Sequence, residues 1–134
     1  MSLRKDVWLS PYNFVDEVIQ EICLPEKVGM YDTTLRDGEQ VPGLVFKENE
    51  KLKIAQALDE LGVQRIEAGM PVVSPEDKEV ATKLTKLGLQ AEIWGFCRCV
   101  RTDIDACIET GIDSVICEIA TSDFKMKAYG LTRD

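Results

Sequence analysis

The chain contains no histidine among its 134 residues. No serine–histidine or cysteine–histidine catalytic machinery can therefore exist within it, and no imidazole is available to ligate a metal ion. A run of 18 apolar residues is also absent, so no membrane span is indicated. Residues 1–5 lack the apolar core of a signal peptide, and we therefore expect a cytoplasmic location.

Basic residues are outnumbered by acidic ones, 16 against 24, which gives a net charge of −8. This balance disfavours nucleic acid and anionic membranes as partners. The cysteine count of five is odd and no secretory signal accompanies it, which favours reduced thiols over a disulfide framework. Cys97 and Cys99 share one face of an expected strand, and we interpret them as small buried hydrophobes rather than a soft-metal pair.

Short apolar runs alternate with amphipathic segments, a pattern that predicts βαβ units and a parallel sheet. We expect strands at residues 28–32, 63–67, 91–97 and 112–119, the last apolar enough for burial on both faces. Helices are expected at 51–61, 75–87 and 102–111, and in the last of these we expect inward-facing side chains at Ile104, Cys107 and Ile108.

Ahead of this alternation, Ser10 and Pro11 are typical of a helix start. We expect a helical extension over residues 1–27, with an apolar stripe made of Phe14, Val15, Val18, Ile19 and Ile22.

A compact group of polar residues lies at the first expected strand-to-helix junction. Arg36 can donate in a fork to a carboxylate or a developing oxyanion, and Asp37 offers oxygen ligands to a divalent cation. Gly38 permits a tight turn, and Gln40 can both donate and accept hydrogen bonds. On spacing alone, a local ion pair on a surface loop explains the same residues equally well.

The sequence around this junction resembles the first signature of the 2-isopropylmalate synthase and homocitrate synthase family. The signature is carried by Leu35-Arg36-Asp37-Gly38-Glu39-Gln40 and, after ten further residues, Lys51. The likeness covers residues 28–134 and continues through Val41-Pro42-Gly43, Ile66-Glu67-Ala68-Gly69-Met70-Pro71 and Ala120-Thr121-Ser122-Asp123. The family belongs to the metal-dependent TIM-barrel enzymes of aldol and Claisen chemistry.

The resemblance implies an α/β fold of the TIM (β/α)₈ barrel family, of which residues 28–134 would form the first half, about four βα units. Such a half-barrel leaves a parallel sheet edge unpaired. The chain is then a fragment of a longer protein, or a partner chain or second copy (a homo-oligomer) buries the edge. A four-stranded flavodoxin-like sheet is the remaining alternative.

The same resemblance implies an acyltransferase that condenses acetyl-CoA with a 2-oxo acid at a divalent metal, Mg²⁺, Mn²⁺ or Zn²⁺. By family analogy Asp37 is the metal ligand and Arg36 the catalytic residue that stabilises enolate or alkoxide charge. The substrate-binding residues expected at the carboxyl ends of the strands are Arg36, Gln40, Glu67, Arg98 and Thr121. Glu67 could instead be a solvated carboxylate, Arg98 a surface arginine, and Thr121 and Ser122 turn hydroxyls or the cap of a short helix.

One departure from the family pattern is decisive. The family's remaining metal ligands are a His-x-His pair from later in the barrel, and this chain has no histidine. Asp37 alone binds a divalent metal weakly, so we expect the isolated chain to be catalytically inactive. A non-catalytic half-barrel or a lyase of the same superfamily remains open, although Glu39, Pro42 and Gly43 favour the synthases. The oxo acid stays open among the substrates of isopropylmalate, homocitrate, citramalate and Re-citrate synthases.

Overall fold

A computed structural model describes residues 10–20 and 25–133 of the chain. Four parallel strands form its sheet in the order β1-β2-β3-β4, the order in which they occur along the chain. The strands are β1 Tyr31–Asp32, β2 Arg65–Glu67, β3 Glu92–Arg98 and β4 Ser114–Glu118. Each is shorter than, or displaced by a residue or two from, the apolar run that predicted it, because the ends of those runs continue beyond the hydrogen-bonded ladder.

One helix follows each strand: α2 Glu48–Glu60, α3 Pro75–Leu84, α4 Arg101–Thr110 and α5 Asp123–Tyr129. A single helical turn, α1 Asp16–Ile19, precedes β1. Ser74 caps α3, its hydroxyl accepting from the Asp77 N–H at 3.0 Å. Helix α2 begins earlier than predicted because the Glu50 carboxylate accepts the Lys47 N–H at 2.7 Å and stabilises its first turn.

The helices α3 and α4 cover the same face of β3. Ile93 on that face belongs to the core cluster with Val80 and Leu84 of α3, and a side chain on Gly95 would meet Cys107 of α4. Consecutive strand order with helices on one face is the arrangement of a (β/α)₈ barrel wall. A flavodoxin-like sheet reverses its strand order and places helices on both faces, so that alternative is wrong. The fold class expected from the sequence is confirmed.

The opposite face of the sheet carries large side chains, and no helix among residues 10–20 and 25–133 covers it. The Tyr31 and Trp94 rings pack edge to face with their centroids 5.5 Å apart. The Arg65 guanidinium lies over the Trp94 ring at 5.3 Å, and Phe96 follows on the same face of β3. Because a barrel buries this face at its centre, the packing resembles one wall of a barrel interior.

Two expectations about burial are wrong. Strand β4 is not buried on both faces: Ser114, Val115 and Ile116 are half-buried and its last residues are exposed, because β4 pairs with β3 alone within residues 25–133. Ile108 is 66% exposed because it lies on the outer side of α4, although Cys107 does point inward.

The predicted N-terminal helix is interrupted. A 3₁₀ turn at Pro11–Phe14 and the single turn of α1 are separated by Val15, whose backbone is extended. The stripe residues among 10–20 are all exposed, and Ile22 lies outside the described residues.

Of the cysteines in the described part of the chain, Cys97 and Cys107 are buried thiols, whereas Cys99 is exposed just beyond the end of β3. The expectation of burial is therefore right for Cys97 and wrong for Cys99. Within residues 10–20 and 25–133, no helix is long and apolar enough to cross a bilayer.

Candidate functional site

The segment after β1 is shaped by hydrogen bonds to its own backbone. The Asp32 carboxylate accepts from the Thr34 N–H at 2.9 Å and from its hydroxyl at 3.1 Å. The Thr33 carbonyl accepts the N–H groups of Arg36, Asp37 and Gly38. These bonds close a tight turn directly at the strand end, as is common for Asx residues, so Arg36 and Asp37 are presented at the carboxyl edge of the sheet.

Leu35 anchors this turn. Its side chain is fully buried among the core residues beneath the sheet, while its neighbour Arg36 points the other way. Because apolar Leu35 is buried in the core, the charged Arg36 that follows it faces the site.

Arg36 is held by two carboxylates and an aromatic ring. Its Nε lies 2.8 Å from Glu67 Oε1, and Nη1 lies 2.8 Å from Asp37 Oδ1. The guanidinium carbon is 4.6 Å from the centroid of the Phe96 ring. The hydrogen bond to Glu67 raises the pKa of Arg36 above its ordinary value despite partial burial, so the side chain is a fixed positive charge.

Glu67 ends β2 and is completely buried. The reading of Glu67 as a solvated carboxylate is therefore wrong: its charge is matched by Arg36, with a second contact from Nη2 to Oε2 at 3.4 Å. Two residues later Gly69 adopts a φ of +119°, a conformation that other residues rarely take, and its carbonyl accepts from Phe96 N–H at 2.9 Å. The chain thus stays bonded to β3 beyond the end of β2.

A cleft of about 260 Å³ opens beside Arg36. Gln40 and Glu39 line it from the turn after β1, Met70 from the segment after β2, and Phe96 from β3. The Asp37 side chain is 61% exposed, and its carboxylate contacts Arg36. The structure therefore brings Arg36, Asp37, Gln40 and Glu67 together.

The other two predicted substrate residues lie apart from this cleft. Arg98, 64% exposed, is the last residue of β3 and forms a double contact with the buried Asp103 of α4, Nε–Oδ2 at 2.7 Å and Nη2–Oδ1 at 2.9 Å. It borders a second cleft that includes Ala120 and Lys125. Thr121 is exposed and lines neither cleft. Its neighbour Ser122 caps α5 by accepting from Lys125 N–H.

Two site neighbours were not predicted from the sequence. Phe96 supports the Arg36 guanidinium, and the Tyr31 hydroxyl is buried without a hydrogen-bond partner in the described part of the chain. Burial, followed by the negative charge of Glu67, raises the pKa of Tyr31. Both residues lie on the barrel-interior side of their strands, so the alternation of side chains along a strand was the signal that could have found them.

The described residues do not assemble a metal site by themselves. Among residues 10–20 and 25–133 no three histidine, cysteine or acidic side chains converge to hold an ion. Asp37 is accessible and could give one oxygen ligand, whereas Glu67 is buried behind Arg36. A divalent ion would need further ligands from outside these residues.

Comparison with known proteins gives consistent matches. The HMGL-like family matches residues 27–133. Homocitrate synthase AksA of Methanopyrus kandleri is 49% identical over 118 residues, covering 88% of this chain and 29% of the relative. 2-Isopropylmalate synthase 2 of Caldanaerobacter subterraneus subsp. tengcongensis is 46% identical over 75% of this chain and 26% of its own length.

(R)-Citramalate synthase CimA of Methanocaldococcus jannaschii is 50% identical over 75% of this chain and 20% of the relative. The chain thus spans less than a third of the length of these curated relatives.

Proposed function

Because the chain belongs to the HMGL-like family, we propose that it carries one wall of the active site of an acetyl-CoA-dependent acyltransferase. The reaction is a Claisen condensation of acetyl-CoA with a 2-oxo acid, followed by hydrolysis of the thioester, as in isopropylmalate, homocitrate and citramalate synthases. The observation that supports this most directly is the Arg36–Glu67 pair, which holds a cation at the carboxyl ends of the first two strands beside an open cleft.

Arg36 is the catalytic residue of this proposal. It faces a cleft rather than bulk water, is fixed by two hydrogen bonds to carboxylates, and stays charged. A preorganised guanidinium of this kind stabilises the negative charge that develops on an enolate or alkoxide oxygen. Glu67 orients it through hydrogen bonds from Nε and Nη2, and the guanidinium lies over the Phe96 ring.

Gln40 is proposed as a substrate-binding residue because it lines the same cleft and its amide can both donate and accept. Arg98 and Thr121 remain predicted substrate residues. Arg98 could reach a substrate only along the second cleft, with its Asp103 contact retained.

Asp37 is proposed as this chain's ligand to a divalent metal, whose role when bound is to polarise the ketone of the oxo acid. The described residues do not complete that site. Further βα units must therefore supply the missing ligands, either from the same polypeptide or from a second chain.

A second candidate is favoured by one observation. Strands β1 and β4 each pair on one side only within residues 25–133, and the aromatic face of the sheet is uncovered. A half-barrel that assembles with itself or a partner would satisfy both features. Light scattering separates the possibilities: a stable, well-folded monomer contradicts self-assembly.

The condensation is tested by release of the CoA thiol from acetyl-CoA with pyruvate, 2-oxoisovalerate or 2-oxoglutarate. We expect no turnover by residues 1–134 alone and turnover by a complete barrel that contains them. Reactions without oxo acid are the blank, since exposed Cys99 and Cys117 also react with thiol reagents. Turnover by the chain alone contradicts the expectation that it is inactive.

Arg36→Gln in the complete barrel should lower kcat/KM by about 10²-fold or more. The matched control is Arg65→Gln, because Arg65 also lies over an aromatic ring and contacts a carboxylate, Glu92. Arg65 lies at the opposite end of β2 from Glu67, so its loss should leave activity nearly unchanged. Equal effects of the two substitutions would contradict the role of Arg36.

A further inference from the structure

Lys51 in the second turn of α2 is only 5% exposed, although it carries an ammonium group. Buried lysines are rare because desolvation of the charge is costly. Here the cost is offset by two carboxylates: Nζ lies 2.7 Å from Glu39 Oε2 and 3.2 Å from Asp77 Oδ1. Although burial lowers the pKa of Lys51, these two hydrogen bonds raise it above its ordinary value, so the side chain remains charged.

The two carboxylates belong to different parts of the fold. Glu39 lies in the 3₁₀ turn Gly38–Gln40 after β1, whereas Asp77 lies in the first turn of α3. Each carboxylate is also held by a second donor: Glu39 Oε1 accepts the Phe46 N–H at 2.8 Å, and Asp77 Oδ2 accepts the Ser74 hydroxyl at 2.8 Å. Through its Nζ atom, Lys51 of α2 therefore connects the turn Gly38–Gln40 to α3.

Few buried side chains hold the segment that Lys51 reaches. Leu35 is fully buried, but none of residues 36–46 is, and residues 41–45 are exposed. Besides the backbone bond from the Gln40 N–H to the Asp37 carbonyl, the conformation of Gln40 and its neighbours therefore depends on side-chain bonds, among them the contact from Lys51 to Glu39. Glu39 and Asp77 line the cleft together with Arg36 and Gln40, so this bridge forms part of the cleft wall.

Stability alone does not require such a bridge. A well-packed apolar side chain often replaces a buried ion pair without loss of stability. A charged group that contacts two defined carboxylates is instead a means of fixing one geometry.

We propose that Lys51 is a positioning residue, whose bridge between Glu39 and Asp77 fixes the turn 38–40 against α3 and thereby places Gln40 and Arg36 at the cleft. The catalytic consequence rests on the proposed condensing function. The structural statement about the turn stands independently of it.

The structural test is amide hydrogen exchange on the full chain, with Lys51→Met compared with Lys83→Met. Lys83 is a matched control because it also contacts two carboxylates, Glu48 of α2 and Glu79 of its own helix α3, but on the exposed surface. We expect Lys51→Met to speed exchange of the Phe46 amide by about tenfold or more, with Ala68, bonded to Trp94, unchanged. Lys83→Met should leave both amides unchanged.

Glu39→Gln provides a second variant if Lys51→Met does not fold. It keeps an amide oxygen for Phe46 and leaves Lys51 paired with Asp77, yet removes the charge pair to the turn. Its expected effect is faster exchange at the Gln40 amide, which is bonded to Asp37. Unchanged exchange at Phe46 and Gln40 in variants that keep Ala68 protected would overturn the proposal.

The activity test uses the complete barrel. Lys51→Met should lower kcat by about 10²-fold with little change in KM for acetyl-CoA, and Lys51→Arg should recover part of the loss because it keeps the charge. Loss of kcat without such recovery, or a change in KM alone, contradicts a positioning role. If the unsubstituted barrel shows no condensation, the proposed function fails, and the exchange experiment still decides the role of Lys51.

Discussion

Arg36 and Glu67 lie 31 residues apart in the sequence, yet Arg36 Nε and Glu67 Oε1 are 2.8 Å apart at the ends of neighbouring parallel strands. The pair is asymmetric, since Glu67 is completely buried while Arg36 is 23% exposed and has a second partner in Asp37. Because of this asymmetry, substitution of Arg36 and substitution of Glu67 should lower the free energy of unfolding by different amounts.

Arg36→Met should destabilise the chain more than Glu67→Gln. Removing the arginine leaves a buried carboxylate without its cation, which costs about 3–5 kcal/mol. Glu67→Gln leaves an arginine that still contacts Asp37 and water, at a cost of about 1–3 kcal/mol. Urea unfolding of both variants measures the difference, with Asp37→Asn as an exposed control. A larger loss of unfolding free energy for Glu67→Gln than for Arg36→Met would contradict the burial of Glu67 behind Arg36.

Tyr31→Phe should leave the free energy of unfolding unchanged or raise it slightly. The Tyr31 hydroxyl is buried without a partner in the described residues, so its removal breaks no hydrogen bond and relieves a desolvation cost. The Tyr31–Trp94 ring contact is retained. Thermal unfolding followed by circular dichroism is the measurement. A loss of about 1 kcal/mol or more would mean that the hydroxyl donates to Glu67.

Asp103 should contribute to acid sensitivity. The hydrogen bond from Arg98 holds its pKa below the ordinary value. The pKa of an aspartate in the unfolded chain is about 3.9. The pKa of Asp103 in the folded chain is therefore lower than in the unfolded chain. Its contribution to stability is complete above that unfolded value and is lost as the pH falls through the folded value.

The stability of the unsubstituted chain should accordingly fall more steeply below about pH 4 than that of Asp103→Asn. Asp105→Asn is the control, since Asp105 is exposed and contacts Arg101 at 3.4 Å. Denaturant titrations over this pH range give the slopes. Identical slopes for the unsubstituted chain and Asp103→Asn would refute the assignment.

Gly95→Ala should destabilise the packing of α4 on β3. A Cβ at this position would lie 2.3 Å from Ile112 Cδ1 and 3.3 Å from Cys107 Sγ, and such overpacking costs about 1–3 kcal/mol. Ile112→Val removes the nearer atom, so the double variant should be more stable than the sum of the two single losses predicts. Gly29→Ala, at an exposed glycine, is the control. Additive losses would show that Cys107 or the backbone, rather than Ile112, limits the space.

Much of the fold follows from local patterns. The alternation of apolar runs with amphipathic segments predicts parallel βαβ units, and the structure has them. The lengths of β1 and β4 were overestimated because apolar residues such as Val28 and Ile119 lie outside the ladder and are exposed. The burial of β4 was overestimated because hydrophobicity alone does not reveal whether a strand has a second neighbour.

The candidate site was predicted in part. The signature placed Arg36, Asp37 and Gln40 after the first strand, and they lie there in the structure. Arg98 and Thr121 were expected at the same edge, yet they do not border the cleft beside Arg36. Arg98 instead turns towards α4, because the buried Asp103 competes for its guanidinium.

The order of residues by itself determined the family, the βα rhythm and the turn that presents Arg36, because each depends on neighbours within a few positions. Only the tertiary structure decided that Glu67 is the buried partner of Arg36, that Phe96 lies beneath it and that Lys51 bridges Glu39 to Asp77. Those contacts join distant segments, and their formation depends on strand register and on which charges lose their water when the helices pack.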